Sequence, residues 1–176
     1  MEFPAGFFER AESERRGAER LDDAAVAALR DLYSDLEIDG RVLDLCGASD
    51  EHFDLPPDEL VPFAGEPDAP LPFGDAAFDD ALCSGGVGGM TRPLETFAEI
   101  ARVLKPGGRF VCTFSDRFYA RSAIRGWLAA DDAGRVRIAR KYFQLTPAFG
   151  GAESDLRTSL TGTGARLWAV WATKKR

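Results

Sequence analysis

LETFAEIARVLKPGGRFVCTFS, residues 94–115, decides the fold. Leu94, Phe97, Ile100, Ala101 and Leu104 recur three and four apart, which sets them on one face of a helix and leaves Glu95, Glu99 and Arg102 largely outside it. Pro106-Gly107-Gly108 stops that helix, because proline cannot continue the backbone ladder and glycine accepts the positive φ of a tight turn. Residues 109–114 follow with Phe110, Val111, Cys112 and Phe114, a near-continuous apolar run that predicts a strand covered on both faces. Helix, turn and doubly covered strand together predict a helix-flanked central strand of an α/β sheet.

Composition agrees with one ordinary domain. The chain has 176 residues, 45% of them hydrophobic, enough to bury a core. A formal charge of −7 argues against general binding to nucleic acid, which needs Lys and Arg to replace phosphate counterions. Cys46, Cys83 and Cys112 fall in or beside apolar strand-like runs without framework spacing, which reads as reduced thiols in a cytoplasm. No apolar run approaches the ~18 residues of a membrane span, and the start, MEFPAGFFER, lacks a leader's basic and apolar regions. The expectation is a soluble cytoplasmic protein with a small-molecule partner, no nucleic acid and no membrane.

ARVLKPGGRFVCTFS resembles the helix after strand 4 and the fifth strand of class I S-adenosylmethionine (SAM)-dependent methyltransferases, especially the type 11 group. Upstream, LPFGDAAFDDALCS, residues 71–84, is similar to that group's segment leading into strand 4. RVLDLCGAS, residues 41–49, stands where strand 1 and its cofactor loop belong. The three segments come in the family's order. The resemblance implies a three-layer, doubly wound, mostly parallel sheet of Rossmann-like type with a C-terminal antiparallel hairpin. Residues 1–20 read as an N-terminal arm with an aromatic triplet, Phe3, Phe7 and Phe8, and residues 21–176 as a single domain. Asp22 or Asp23 caps the next helix, whose stripe is Val26, Leu29, Leu32, Tyr33 and Leu36.

A ligand of an open α/β sheet sits beyond the carboxyl ends of its strands, where glycine lets backbone approach it closely. Asp44, Cys46, Gly47 and Ala48 lie at the end of the first strand, residues 42–46, and the resemblance implies that they meet the methionine end of SAM. Ala48, Ser49 and Asp50 stand where the family has further glycines, so Gly47 also fits a plain tight turn. After strand 4 the run GGVGG offers backbone and space: Ser84 and Gly85 are assigned to the cofactor, Val87 to the substrate. A flexible turn explains that run equally. It is no phosphate loop, lacking the lysine. Arg117 and Tyr119, past the fifth strand, fit either an anionic substrate or ordinary surface pairing.

Between Gly47 and Leu71 the full family fold needs two strands and two helices, and each crossover takes at least ~10–12 residues. Pro56, Pro57, Pro62, Pro67 and Pro70 forbid a long helix there and allow at most a short edge strand over residues 60–64. One βα unit is therefore expected to be missing, with the second strand the element lost. The family's ribose-binding acid would go with it, leaving Glu66 and Asp68 as substitutes near ribose and adenine, or as members of a solvated acidic loop. The exposed sheet edge predicts a homodimer. His52, the single histidine, reads as a loop-packing or surface residue rather than a general base, and one histidine with strand-bound cysteines gives no metal spacing.

No catalytic residue is identified. Two functions stand: SAM-dependent transfer of a methyl group to an unidentified small molecule, or a non-catalytic binding or assembly module that has lost SAM. Methyl transfer from a sulfonium needs mainly close, dry positioning, so the lack of a triad fits the first. A nicotinamide-dependent oxidoreductase is excluded, since no G-x-G-x-x-G follows the first strand.

Overall fold

The computed structural model describes residues 3–12, 21–46, 50–63, 65, 66, 68–116, 122–158 and 163–176. In chain order the elements are β1 (Arg10–Glu12), α1 (Asp23–Asp35), β2 (Arg41–Asp44), β3 (Glu59–Pro62), β4 (Phe78–Ser84), α2 (Pro93–Val103), β5 (Leu104–Ser115), β6 (Ser122–Ile124), α3 (Arg125–Leu128), α4 (Asp132–Gln144), β7 (Glu153–Leu156) and β8 (Leu167–Thr173).

Six strands form one sheet in the order β3-β2-β4-β5-β8-β7. The pairs β2–β3, β2–β4 and β4–β5 are parallel, while β8 runs antiparallel between β5 and β7. Parallel strands joined by a helical crossover, closed by a terminal antiparallel hairpin, make the doubly wound α/β fold read from the sequence. Two apolar clusters flank the sheet. On one face Phe97, Ile100 and Ala101 of α2 and Tyr142 and Phe143 of α4 meet Phe78, Ala81, Phe110, Val170 and Ala172. On the other, Leu29, Leu32 and Tyr33 of α1 meet Val42, Leu82, Val111, Leu167 and Ala169. Strand β8 alternates between these clusters, as its sequence pattern requires.

Asp22 accepts the Ala25 amide at 2.9 Å and so caps α1, and it also accepts the Ala165 amide at 2.7 Å, fastening the helix to the entry of β8. The proline-glycine turn after α2 is an outward excursion of β5. Register with β4 passes from Phe78↔Leu104 to Asp80↔Arg109, leaving residues 105–108 beyond the ladder. Gly107 has φ +87°, and a Cβ on Gly108 would lie 2.2 Å from the Asp79 carbonyl oxygen. Glycine is therefore needed at both positions. The Lys174 ammonium donates to Leu104 O and that of Lys175 to Pro147 O, so these lysines clasp the excursion and the end of α4.

Three expectations are corrected. The slot beside β2 is filled: Glu59–Pro62 pairs with all of β2, Asp44 opposite Pro62, so an edge strand survives within the window 60–64 plus one residue. Proline is tolerated because the strand's outer side is an edge. What is lost is the helical crossover. Among the described residues, only a 3-10 turn, Asp50–His52, lies between β2 and β3, and no helix lies between β3 and β4. The helical run expected over residues 120–130 begins instead as β6, which pairs antiparallel with β1 of the N-terminal arm. The arm is thus part of the domain, with Phe3, Phe7 and Phe8 stacked on each other and Phe3 and Phe8 on Tyr142.

Candidate functional site

The carboxyl ends of β2, β4 and β5 converge on a small polar group. Asp44 ends β2, is 1% exposed, and its Oδ1 accepts the Cys46 amide at 3.1 Å, which fixes the first step of the following turn. Ser84 ends β4 opposite Thr113 of β5, whose hydroxyl lies 3.1 Å from that of Ser84. Gly85 takes φ +77° and donates its amide to Thr113 O at 2.8 Å, turning the chain away from the sheet. The Tyr33 hydroxyl is buried near Asp44 and beside the Thr113 side chain. Burial first, then the nearby Asp44 charge, pushes that phenol up, so it stays protonated and can donate.

Cys46, just after β2, and Cys83, in the neighbouring strand β4, have their sulfurs 3.3 Å apart as free thiols. The glycine segment after β4 covers them. A Cβ on Gly86 would come within 2.0 Å of the Cys46 sulfur, and one on Gly88 within 2.6 Å of the Trp127 indole nitrogen. Val87 between them is fully buried. These glycines therefore let backbone press onto side chains, and Val87 has no side-chain surface to offer a substrate.

The two acids singled out downstream differ. Asp68 is fully engaged: Oδ2 accepts the Thr91 amide at 3.0 Å and hydroxyl at 2.5 Å, and Oδ1 accepts the Arg92 amide at 3.1 Å and the Thr96 hydroxyl at 3.2 Å. It caps α2 from a distant loop, where the side chain of Arg92 at the N-cap position makes no capping bond. Burial acts to raise its pKa, but these four bonds outweigh it and hold the carboxyl below its usual range. Glu66 is exposed and pairs with Arg10 of the arm at 3.2 Å. Phe63, not an acid, follows the last residue of β3, and its amide donates to Asp44 O at 2.7 Å. Gly47, Ala48, Arg117 and Tyr119 lie outside the described residues.

His52 is 8% exposed, and burial lowers its pKa, which keeps the ring neutral beside the shortened crossover. Among the described residues no three His, Cys, Asp or Glu side chains are grouped to hold a metal ion, and no helix is long and apolar enough to cross a membrane. Thr113 and Tyr33 were not singled out in the sequence. Thr113 carried a signal, being the one hydroxyl inside FVCTF; Tyr33 carried none, since its place in the apolar stripe of α1 reads as core.

For SAM, the described residues offer an acid buried at the first turn, a tightly turning glycine at the second and small side chains at both. These features fit the methionine end, whereas no described acid ends β3 for the ribose.

Comparison with known proteins agrees with this geometry. Residues 36–112 match the family model of the type 11 methyltransferase domain. A demethylmenaquinone methyltransferase of Clavibacter sepedonicus is 42% identical over 59 residues, 33% of this chain; the match spans only 24% of that enzyme's length. A SAM-dependent methyltransferase of Thermotoga maritima superposes with TM-score 0.56 at 16% identity, covering 86% of this chain and 90% of the other. The 1,6-didemethyltoxoflavin N1-methyltransferase of Burkholderia thailandensis, solved with 1,6-didemethyltoxoflavin and S-adenosylhomocysteine, superposes with TM-score 0.53 at 16% identity over 88% and 80% of the two chains.

Proposed function

We propose that this chain, which has the fold of class I SAM-dependent methyltransferases and matches their type 11 domain over residues 36–112, is a SAM-dependent methyltransferase acting on a small molecule. The observation that carries the reading is the buried Asp44 carboxylate ending β2 and holding the Cys46 amide, one strand away from Ser84 and Gly85. When bound, SAM supplies an electrophilic methyl group on a positively charged sulfur. The chain's own part is to position and to exclude water. Asp44 holds the Cys46 amide and so fixes the first step of the turn. Gly85 brings main chain close without a side chain in the way, with the Ser84–Thr113 hydroxyl pair beside it. The arm, stacked through Phe3 and Phe8 on Tyr142 and joined by Arg10 to Glu66, shelters the acceptor side.

Isothermal calorimetry with SAM and with S-adenosylhomocysteine tests this. Micromolar binding of both, weakened by Asp44→Asn, supports the enzyme; silence at millimolar ligand sinks it. The protein acts in the cytoplasm and as a homodimer. Support for the dimer comes from the unpaired side of β3 and from Leu55, 85% exposed beside a groove of about 420 Å³ whose walls include Tyr33, Ile38 and Phe53.

A further inference from the structure

Two thiols face each other at the carboxyl end of the sheet. Cys83 in β4 is fully buried, Cys46 after β2 is half-buried, and their sulfurs stand 3.3 Å apart. Closing that gap to the ~2.05 Å of a disulfide moves the sulfurs by little more than an ångström. The Gly86 backbone presses on both: a Cβ there would lie 2.0 Å from the Cys46 sulfur and 3.0 Å from that of Cys83. The pair is thus held in contact from above, and only Cys46 has an open side.

We propose that Cys46 and Cys83 form a reversible disulfide modification site whose oxidant is a small peroxide. The Cys46 sulfur attacks one peroxide oxygen, the O–O bond breaks, and water leaves with the thiol proton, giving a sulfenic acid. The Cys83 sulfur then attacks the Cys46 sulfur, the S–O bond breaks, and a second water carries off the hydroxyl and the Cys83 proton. Two electrons pass from the thiols to the peroxide. The sulfur contact with Cys83 and then burial push the Cys46 thiol up, so the first step is slow and quickens as pH rises. Once the sulfenic acid forms, its partner is already in place.

The bond would tie the turn after β2 to β4. Resting on the reading that this turn meets SAM, the oxidised protein binds SAM about tenfold more weakly.

The experiment treats the whole chain with hydrogen peroxide and reads intact mass and peptide linkage. Expected are the loss of two hydrogens, a Cys46–Cys83 linked peptide, reversal by dithiothreitol, persistence of the link in Cys112→Ala and its absence in Cys46→Ala. Cys112, register partner of Cys83, is the competitor. A link through Cys112, or oxygen addition at Cys46 with no link, overturns the assignment. Calorimetry on both forms separates the two ideas. A reduced protein that ignores SAM defeats the enzymatic reading and leaves the disulfide standing, whereas equal affinity of both forms defeats the coupling.

Discussion

Between β4 and β5 the chain runs through a complete helix, α2, whose apolar face sits in an aromatic cluster; between β2 and β4 it runs through turns, prolines and the short edge strand β3. Phe97 of α2 stacks at 4.8–5.6 Å on Phe110, Tyr142 and Phe143, so that half is anchored by burial. The other half is held by directed polar bonds reaching out from α2. Arg102 donates to Leu71 O, Phe73 O and Asp75, Glu99 accepts the Leu71 amide, and Asp68 caps the helix in return. A loop that buries Leu71 but has no continuous apolar face has been fastened to a helix that has one. Rigid backbone near a ligand can thus be supplied by hydrogen bonds where the crossover is too short for a helix.

Four substitutions test that contrast. Phe97→Ala should cost about 3–5 kcal/mol and lower the melting transition of the whole domain, since a fully buried ring leaves a cavity in the core. A local effect confined to α2 would deny that this half is one unit. Arg102→Met should cost about 1–2 kcal/mol, and hydrogen exchange should quicken at residues 71–75 ahead of β4 and β5. Uniform quickening would mean that the connector is not separately fastened.

Asp68→Asn should cost about 1 kcal/mol at neutral pH. The folded Asp68 holds its proton less tightly than the unfolded one, so its contribution is complete above the usual carboxylate value of ~3.9 and fades as pH falls through the lower folded value. Denaturation curves of the two proteins should therefore converge in acid; a constant gap would refute the cap. Leu55→Ser, at an exposed position, should change monomer stability by less than about 0.5 kcal/mol. In the proposed dimer it should lower the sedimentation-derived association constant, and an unchanged constant removes this surface from the interface.

The parts legible from sequence were those with a strong period. Residues 94–104 and 167–173 carry patterns of 3.6 and 2: Phe97, Ile100 and Ala101 are buried on one helical face and β8 alternates as read, whereas Leu94 is exposed and Leu104 opens β5. Asp22 was legible as a cap for the same local reason. The edge strand Glu59–Pro62 was half hidden: its prolines argue against a strand, and only its place at the sheet margin makes them harmless. The role of Asp68 was not legible, because the amides it caps lie more than twenty residues away and no local pattern links a loop acid to a distant helix. The same holds for Thr113 of β5 and Tyr33 of α1, brought together near Asp44 by the packing of that helix on the sheet.

The ribbon of Arg10–Glu12 with Ser122–Ile124 has a consequence for biosynthesis. This arm leaves the ribosome well ahead of its strand partner, which is made more than a hundred residues later, so it must wait, three phenylalanines uncovered, while the parallel core assembles. Seating of this segment is then the closing event of maturation, and a nascent chain stalled before residue 122 would present those rings to chaperones.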